Sequence, residues 1–504
     1  MMRRTTSRFV GVSAAAVFAP PARVDLQQWC EWTNSKWDKV SEVVGRSFRV
    51  PAHNENAYTM AATATLRMIQ QYDIDPQRVG FLGLGTESST DNAAGSVIVR
   101  GMVDKGLKAV GKPPLSRNCE VPEFKHACLG GIYALKSAAR YATTDGSDRL
   151  AIVVSSDIAE YQRGSSGEQT QGAGAVAMLV ERHPKLFEID LMKSGSASSY
   201  RGPDFRKPFK RHFLEGYHSA ETQPSPASSK IADFPVFSGP YSTVAYQDEV
   251  TQAVEAMLTK LHTKPSDYYR QVSALFFHRP YSMMPIQAMS ALYARGLARG
   301  TSAEHQAEFQ ELCKKAKVAP ADVLKELDLS PDFFEFIERG EIPNVHKATN
   351  ALAKIVRGDP RFVTLLEQKM SLGSKMMMHF GNLYSAALPC WLTAGFEEAY
   401  NRKLDIAGKP MVMIGYGSGD AAEAIPIVPV GGWEAAAAKL GVQAVLDEGV
   451  VTLTKEQYEV LHAGKGEPVD LAASLRKNQF IVDRIGMRNE PAFQDIGIEY
   501  YKYV

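Results

Sequence analysis

The 504-residue chain has almost no surplus of either charge: 57 Lys and Arg stand against 56 Asp and Glu, a formal net charge of +1. Without a global basic field there is nothing to hold nucleic acid or an anionic membrane surface, so neither is expected as a partner. Long apolar runs are also missing, since none reaches the ~18 residues that a membrane-spanning helix needs. The five cysteines, Cys30, Cys119, Cys128, Cys313 and Cys390, form no CxxC pair and join no histidine cluster at metal-ligand spacing. That argues against a metal site and for reduced thiols in a cytoplasmic protein. Short-period repeats and low-complexity tracts are absent. What remains is 45% apolar residues with 39 Gly and 27 Pro, the composition of a globular protein with ample core. The length suggests roughly two to four domain-sized units, or a fused pair of similar halves. Near the N-terminus, Arg3-Arg4 before the apolar Phe9–Phe18 superficially resembles an export signal. The stretch is short, ends in Ala19-Pro20-Pro21 and continues as amphipathic sequence through Val24, Leu26 and Trp29, so it reads as a first core strand.

Several segments share one layout: a short apolar run, a turn of small residues, then a helical pattern. Arg78–Leu84 leads into Gly85-Thr86-Glu87-Ser88-Ser89, and Leu150–Val154 leads into Ser155-Ser156-Asp157. Val272–Phe277 leads into His278-Arg279-Pro280, and Met411–Ile414 leads into Gly415-Tyr416-Gly417-Ser418-Gly419. Apolar runs without alternation predict strands buried on both faces, as in an α/β sheet covered by helices. Ligands usually sit at the ends of such strands. Helical patterns lie between them, over Thr59–Tyr72 and Leu129–Tyr141. A first half over 9–193 and a second over 231–504 have comparable content. The Ser-, Pro- and Gly-rich 194–230, with Arg206, Lys207, Lys210 and Arg211, is expected to join them as a long exposed connection. Residues 301–368 are charged and helical, including Glu304–Lys317 and Ser330-Pro331 opening Asp332–Phe336, and read as an added helical insertion.

Among chemistry-bearing residues, Cys128 stands out. In Glu123-Phe124-Lys125-His126-Ala127-Cys128-Leu129-Gly130-Gly131 a thiol sits at a turn directly before a helix, where the positive end of the dipole is expected to lower its pKa and activate it as a nucleophile. His278, at a strand end, can hydrogen-bond a carbonyl oxygen or exchange a proton. Glu87, also after a strand, can act as a general base if burial raises its pKa. Asn382 follows Gly381 in a turn-like stretch. Each alone also has a plain structural reading: an inert buried thiol, a satisfied core histidine, a solvated acid, a turn residue.

Taken together, the ordered pieces resemble the 3-hydroxy-3-methylglutaryl-CoA synthase family of the thiolase superfamily. They are Gly85-Thr86-Glu87-Ser88, Ala127-Cys128-Leu129-Gly130-Gly131, Ser156-Asp157-Ile158-Ala159-Glu160-Tyr161, Gly172–Leu179, Asp204-Phe205-Arg206-Lys207-Pro208, Phe277-His278-Arg279-Pro280-Tyr281, Gly381-Asn382-Leu383-Tyr384 and Tyr416-Gly417-Ser418-Gly419. They span about 9–300 and resume at about 368. The resemblance implies a thiolase-like, five-layered αβαβα fold of two related halves, usually a homodimer. It implies that Cys128 becomes acetylated, Glu87 is the general acid/base and His278 orients the β-ketoacyl thioester. Asn382, Tyr384, Ser418, Gly417, Thr170, Asp157, Asp204 and Lys207 match pocket or supporting positions. The implied substrates are acetyl-CoA and a β-ketoacyl-CoA such as acetoacetyl-CoA, with no metal or redox cofactor.

Three departures from the family pattern stand out. Ser282-Met283-Met284-Pro285-Ile286-Gln287 carries none of the lysines that often follow the catalytic histidine and contact coenzyme A phosphates, a charge that Arg206, Lys207, Lys210 and Arg211 could supply instead. The substrate loop reads Thr170-Gln171-Gly172 where Thr-Gly-Gly is common, after an unusual Arg163–Glu168. The 301–368 segment is larger than in compact bacterial members. These keep three other readings open: a β-branching synthase of polyketide biosynthesis acting on acyl carrier protein, an acyl transferase of the ketoacyl-synthase III type, against which Glu87 speaks, and a catalytically silent scaffold subunit.

Overall fold

The computed structural model describes residues 9–202, 204–207, 234–237, 239–329, 331, 333–341, 344–464, 469, 471 and 477–504. Ten strands hydrogen-bond into one mixed sheet: β1 (Val10–Phe18), β2 (Val79–Gly85), β3 (Glu123–Phe124), β4 (Leu150–Ala159), β5 (Gly172–Arg182), β6 (Phe187–Ile189), β7 (Gly195–Ser198), β8 (Ala274–Phe277), β9 (Met411–Gly417) and β10 (Ala421–Pro429). Every residue of β1, β2, β8 and β9 is buried, which is why their sequences run apolar without alternation. The apolar stretch after residue 9 is therefore a central core strand; Arg3 and Arg4 lie outside the described residues.

The strand order is β8-β9-β10-β6-β1-β5-β4-β2-β3, with β7 alongside β10. One block, β1-β5-β4-β2-β3, comes from the first half of the chain. The other, β8-β9-β10, comes from the second. The short β6 joins them, because Glu188 pairs with Gly11 on β1 and with Val428 on β10.

Six helices make the layers: α1 (Ala57–Gln71), α2 (Gly95–Ala109), α3 (Gly130–Thr143), α4 (Gly239–Leu261), α5 (Met283–Ala298) and α6 (Ala387–Asn401). Helix α1 starts at a capping box in which Asn56 accepts from the Thr59 N–H at 2.9 Å and the Thr59 hydroxyl accepts from the Asn56 N–H. Its Ala- and Thr-rich face lets it lie close on β1, β4 and β5, with α2 beside it. On the opposite face of the first block, α3 covers β2, β4 and β5, while α6 packs on β8 and β9. The buried Lys136 of α3 reaches Glu423 of β10 at 2.7 Å, which ties this central helical layer to the second block. Helix α4 covers β7, β9 and β10 from outside, with α5 against it. The result is the expected αβαβα stack.

The described part of the connecting segment, 194–202 and 204–207, departs from the exposed course expected of it. Residues 195–198 form β7 inside the sheet, and Arg201 and Asp204 are fully buried. Pairing with β10 and a salt-bridge cluster around Arg201 absorb what the Ser- and Gly-rich composition suggested would face water. Arg206 is held by the Phe205 and Arg201 carbonyls; Lys210 and Arg211 lie outside the described residues. The 301–368 segment is helical, with helices Ala303–Ala316, Pro320–Glu326, Phe333–Glu338, Lys347–Val356 and Pro360–Lys369. Ser330 and Asp332, read as the opening of one of them, fall outside the described residues. The insertion stacks on α5, where Arg295 donates to the Leu327 carbonyl at 2.8 Å. The Glu326 carboxylate accepts the Ala348 and Thr349 N–H groups, each at 2.8 Å.

Candidate active site

Three chain turns meet where the two blocks of the sheet face α3. After β2 the chain runs Thr86-Glu87, after the short β3 it turns at Ala127-Cys128 into α3, and after β9 it turns at Ser418. Close backbone approach requires glycine here: a Cβ on Gly417 would lie 2.5 Å from the His126 carbonyl oxygen, and one on Gly85 would lie 2.4 Å from Gly131. Ala127 sits at a φ of 41°, a left-handed conformation that side chains rarely adopt, and this presents the next residue, Cys128, to the cavity.

Cys128 lies 3.5 Å from Glu87, Sγ to Oε1. Burial pushes the Glu87 carboxyl up to about 7, with Asp157 adding to the rise and the Lys207 ammonium opposing it. Lys207 Nζ is 3.6 Å from Glu87 Oε2 and lies 4.8 Å from the centre of the Tyr384 ring. The thiol itself does not behave as the helix-start position suggested. Burial, then the carboxylates of Glu87 and Asp157, push its pKa well up, so Cys128 rests as a protonated thiol. A helix terminus contributes roughly 0.3–1 kcal/mol, too little against desolvation and a neighbouring negative charge.

Asp157, at the end of β4, fastens this corner. Its carboxylate accepts from the Thr86 hydroxyl (2.9 Å), the Glu87 N–H (2.8 Å), the Ser385 N–H (2.9 Å) and the Ser385 hydroxyl. It thereby fixes the backbone of the acid/base candidate to the turn after Tyr384. Across the cavity, His278 follows β8 and is fully buried; burial lowers its pKa to about 3, so the imidazole is neutral. Neither ring nitrogen has a hydrogen-bond partner, which leaves one N–H donor and one acceptor for a ligand. The Tyr416 ring stacks on it with centroids 6.4 Å apart, and the Tyr416 hydroxyl donates to Asp204 at 3.1 Å. Asp204 thus acts on the site through Tyr416.

These groups surround a cavity of about 440 Å³. Of the residues singled out in the sequence, Cys128, Thr170, His278, Asn382, Tyr384 and Ser418 form its wall. Glu87, Asp157, Asp204, Lys207 and Gly417 stand one layer behind. Asn382 accepts the Tyr384 N–H through its side chain (2.9 Å), and its own N–H donates to the Thr170 carbonyl (3.0 Å), so the two flanks of the cavity are stitched together. The unusual loop before Thr170 is anchored by the buried Glu168, which accepts from Trp29 (3.1 Å), the Tyr458 hydroxyl (3.0 Å) and the Gly164 N–H (2.6 Å). The wall also contains Val43, Val44, Tyr281, Met284 and Gln287. Val43 and Val44 belong to a segment with no motif signal; Tyr416 opens the Tyr416-Gly417-Ser418-Gly419 motif, but only its stacking on His278 gives it a role.

A thiol, an acid of near-neutral pKa and a neutral imidazole face one cavity on an αβαβα scaffold of thiolase-like fold, a set of groups suited to acyl transfer and proton abstraction. The family model described as hydroxymethylglutaryl-coenzyme A synthase N terminal matches residues 6–184. The chain is 24% identical over 371 residues to a hydroxymethylglutaryl-CoA synthase of Haloferax volcanii, covering 73% of this chain and 72% of that one. Among solved structures it superposes on MvaS in complex with 3-hydroxy-3-methylglutaryl coenzyme A with a TM-score of 0.73 at 24% identity, over 98% of this chain and 99% of that one. The curacin-pathway HMG synthase in complex with holo donor-ACP gives a TM-score of 0.70 at 19% identity, over 98% and 100% of the two chains. The chain is thus similar to hydroxymethylglutaryl-CoA synthases over residues 6–184 and shares its fold with solved members of that family.

Proposed function

We propose that this enzyme condenses an acetyl thioester with a β-ketoacyl thioester, acetoacetyl-CoA or an analogue, through an acetyl-Cys128 intermediate to give 3-hydroxy-3-methylglutaryl-CoA or a related product. The observation that carries this reading is the 3.5 Å contact between Cys128 Sγ and Glu87 Oε1 at a cavity whose opposite wall is His278 with both nitrogens free. In the first step Cys128 sulfur attacks the acetyl carbonyl, and the thiol proton ends on the departing thiol. Glu87, as a carboxylate, removes a proton from the acetyl methyl. The resulting enolate carbon forms a bond to the ketone carbon of the acceptor, and Glu87 returns its proton to the new alkoxide. Water then cleaves the Cys128 thioester, releasing the carboxylate product and the thiol. A neutral His278 donates one hydrogen bond to an acceptor carbonyl. Backbone N–H groups of the Cys128 turn and near Ser418, pressed together at Gly417, are placed to hold the enolate oxygen.

Coenzyme A thioesters serve as substrates and no further cofactor is needed for these steps. A homodimer and a cytoplasmic location belong to the same reading. For the latter, the support is that none of the five cysteines is disulfide-bonded. No helix among the described residues is long and apolar enough to cross a membrane. A second reading, donor acetyl delivered by an acyl carrier protein, is favoured by the wall after His278, where Met284 and Gln287 offer no positive charge.

The test is intact-protein mass spectrometry after mixing with acetyl-CoA, then peptide mapping, then addition of acetoacetyl-CoA. One acetyl group on Cys128 that disappears as hydroxymethylglutaryl product forms is expected, and Cys128→Ala should take up none. Acetylation of the Cys128→Ala protein would remove the nucleophile from this scheme, and a strong preference for an acetylated carrier at equal concentration would establish the second reading.

A further inference from the structure

Behind the His278 strand lies a second cavity, of about 570 Å³, whose wall includes Arg46, Arg279, Ser282, Ser374, Lys375 and His379. A small gap lined by Val44, Thr170, Pro280 and Arg279 shares wall residues with both this cavity and the active-site cavity. Arg279 is 5% exposed. Its guanidinium donates to the Ser374 carbonyl (3.2 Å), the Ser282 hydroxyl (3.2 Å) and the Met378 sulfur (2.8 Å), and stacks on Trp391 at 5.2 Å. None of these partners carries negative charge. Burial accordingly lowers even this guanidinium to about 10.

The surroundings add positive charge. Arg46 and Lys375 line the same wall, and His379, also on it, has its pKa lowered by burial and then by Arg23, Arg49 and Arg46. The one carboxylate on the wall, Glu367, is exposed and forms no ion pair with Arg279, Arg46 or Lys375 among the described residues. A buried, uncompensated cation is costly to keep, on the order of several kcal/mol, unless an anion joins it. A planar guanidinium flanked by hydroxyls and further cations suits a tetrahedral, multiply charged oxyanion.

We propose that this cavity is a binding site for a phosphate-type anion, with Arg279 as its principal contact and Arg46 and Lys375 at its mouth. The site is separate from the condensing groups, so it stands whether or not the acetyl-Cys128 scheme holds. Two sources supply this chemistry: the phosphates of coenzyme A reaching through the gap, or a free phosphate or diphosphate compound.

The experiment is calorimetric titration of the intact protein with inorganic pyrophosphate at low ionic strength, for the native chain and for Arg279→Gln, Arg46→Gln and Lys375→Gln. The native chain should bind, Arg279→Gln should weaken binding at least about tenfold, the value for losing one charge-assisted contact, and the two exposed-site variants should each weaken it about threefold. The exposed positions keep the test decisive should Arg279→Gln fail to fold. Competition then names the source. If pyrophosphate raises the KM for acetyl-CoA in Cys128 acetylation but not that for a phosphate-free acetyl thioester, the occupant is the coenzyme; unchanged KM for both assigns the site to a free phosphate compound. Absence of pyrophosphate binding, or equal binding by all four proteins, overturns the proposal.

Discussion

Replacing Lys207 with methionine isolates the electrostatics of the acid/base pair. The ammonium stands 3.6 Å from a Glu87 oxygen. At an effective dielectric of about 20 the Coulomb attraction at that distance is ~4.6 kcal/mol, a ceiling of roughly three pKa units. The Lys207 side chain is 24% exposed, so water screens part of this; a rise of about one to two units is expected when the charge is removed. Methionine keeps most of the aliphatic stem packed on Phe205 and Tyr384. In the proposed scheme Glu87 takes the methyl proton only as a carboxylate, so the condensation rate should climb with pH through a midpoint near 7 in the native enzyme. In the variant the climb should move to higher pH. The assay is single-turnover condensation of pre-acetylated enzyme with acetoacetyl-CoA across pH 5.5–9.5, which removes the acetylation step from the profile. A midpoint that stays in place, or moves down, would refute Lys207 as the charge that holds Glu87 near neutrality.

Other substitutions separate the remaining roles. Glu87→Ala should still accept an acetyl group on Cys128, because the same change relieves a charge that holds the thiol protonated, while condensation falls about 10²- to 10⁴-fold; rapid-quench measurement of the two steps checks this. His278→Ala should raise the KM for the β-ketoacyl thioester more than it changes Cys128 acetylation, and an unaltered KM would contradict its orienting role. Gly417→Ala places a methyl 2.5 Å from the His126 carbonyl and should lower kcat by about 10² through displacement of the Cys128 turn, with a stability cost of about 1–3 kcal/mol from the overpacked strand, read by steady-state kinetics beside thermal denaturation.

Much of the scaffold was legible because its core strands are buried on both faces and so leave an unbroken apolar signature. Val10–Phe18 and Met411–Gly417 are instances. The helical insertion was visible in its charge and period, and the cavity wall could be read from motifs at strand ends. The charge state of Cys128 was not legible, since it depends on Glu87, 41 residues earlier in the chain, and on burial, neither of which a local turn-plus-helix pattern contains. The described part of the connecting segment escapes a composition-based reading for a similar reason. A Ser- and Gly-rich run looks like surface until a partner strand, here Ala421–Ala424, takes up its backbone. The tyrosine that stacks on His278 and the valines at 43 and 44 needed the fold itself, because no spacing rule connects them to the thiol.

The three-residue strand β6, bonded on both edges, joins the two blocks of the sheet in one hydrogen-bond ladder. Cys128 and Glu87 belong to one block and His278 and Ser418 to the other, so that ladder helps set the distance across the cavity. A hinge that opened the halves would have to break it. Under the proposed scheme, substrate and product would pass the loops around Thr170 and Tyr281, which line the cavity, and Cys128, Glu87 and His278 stand in place without a thioester bound.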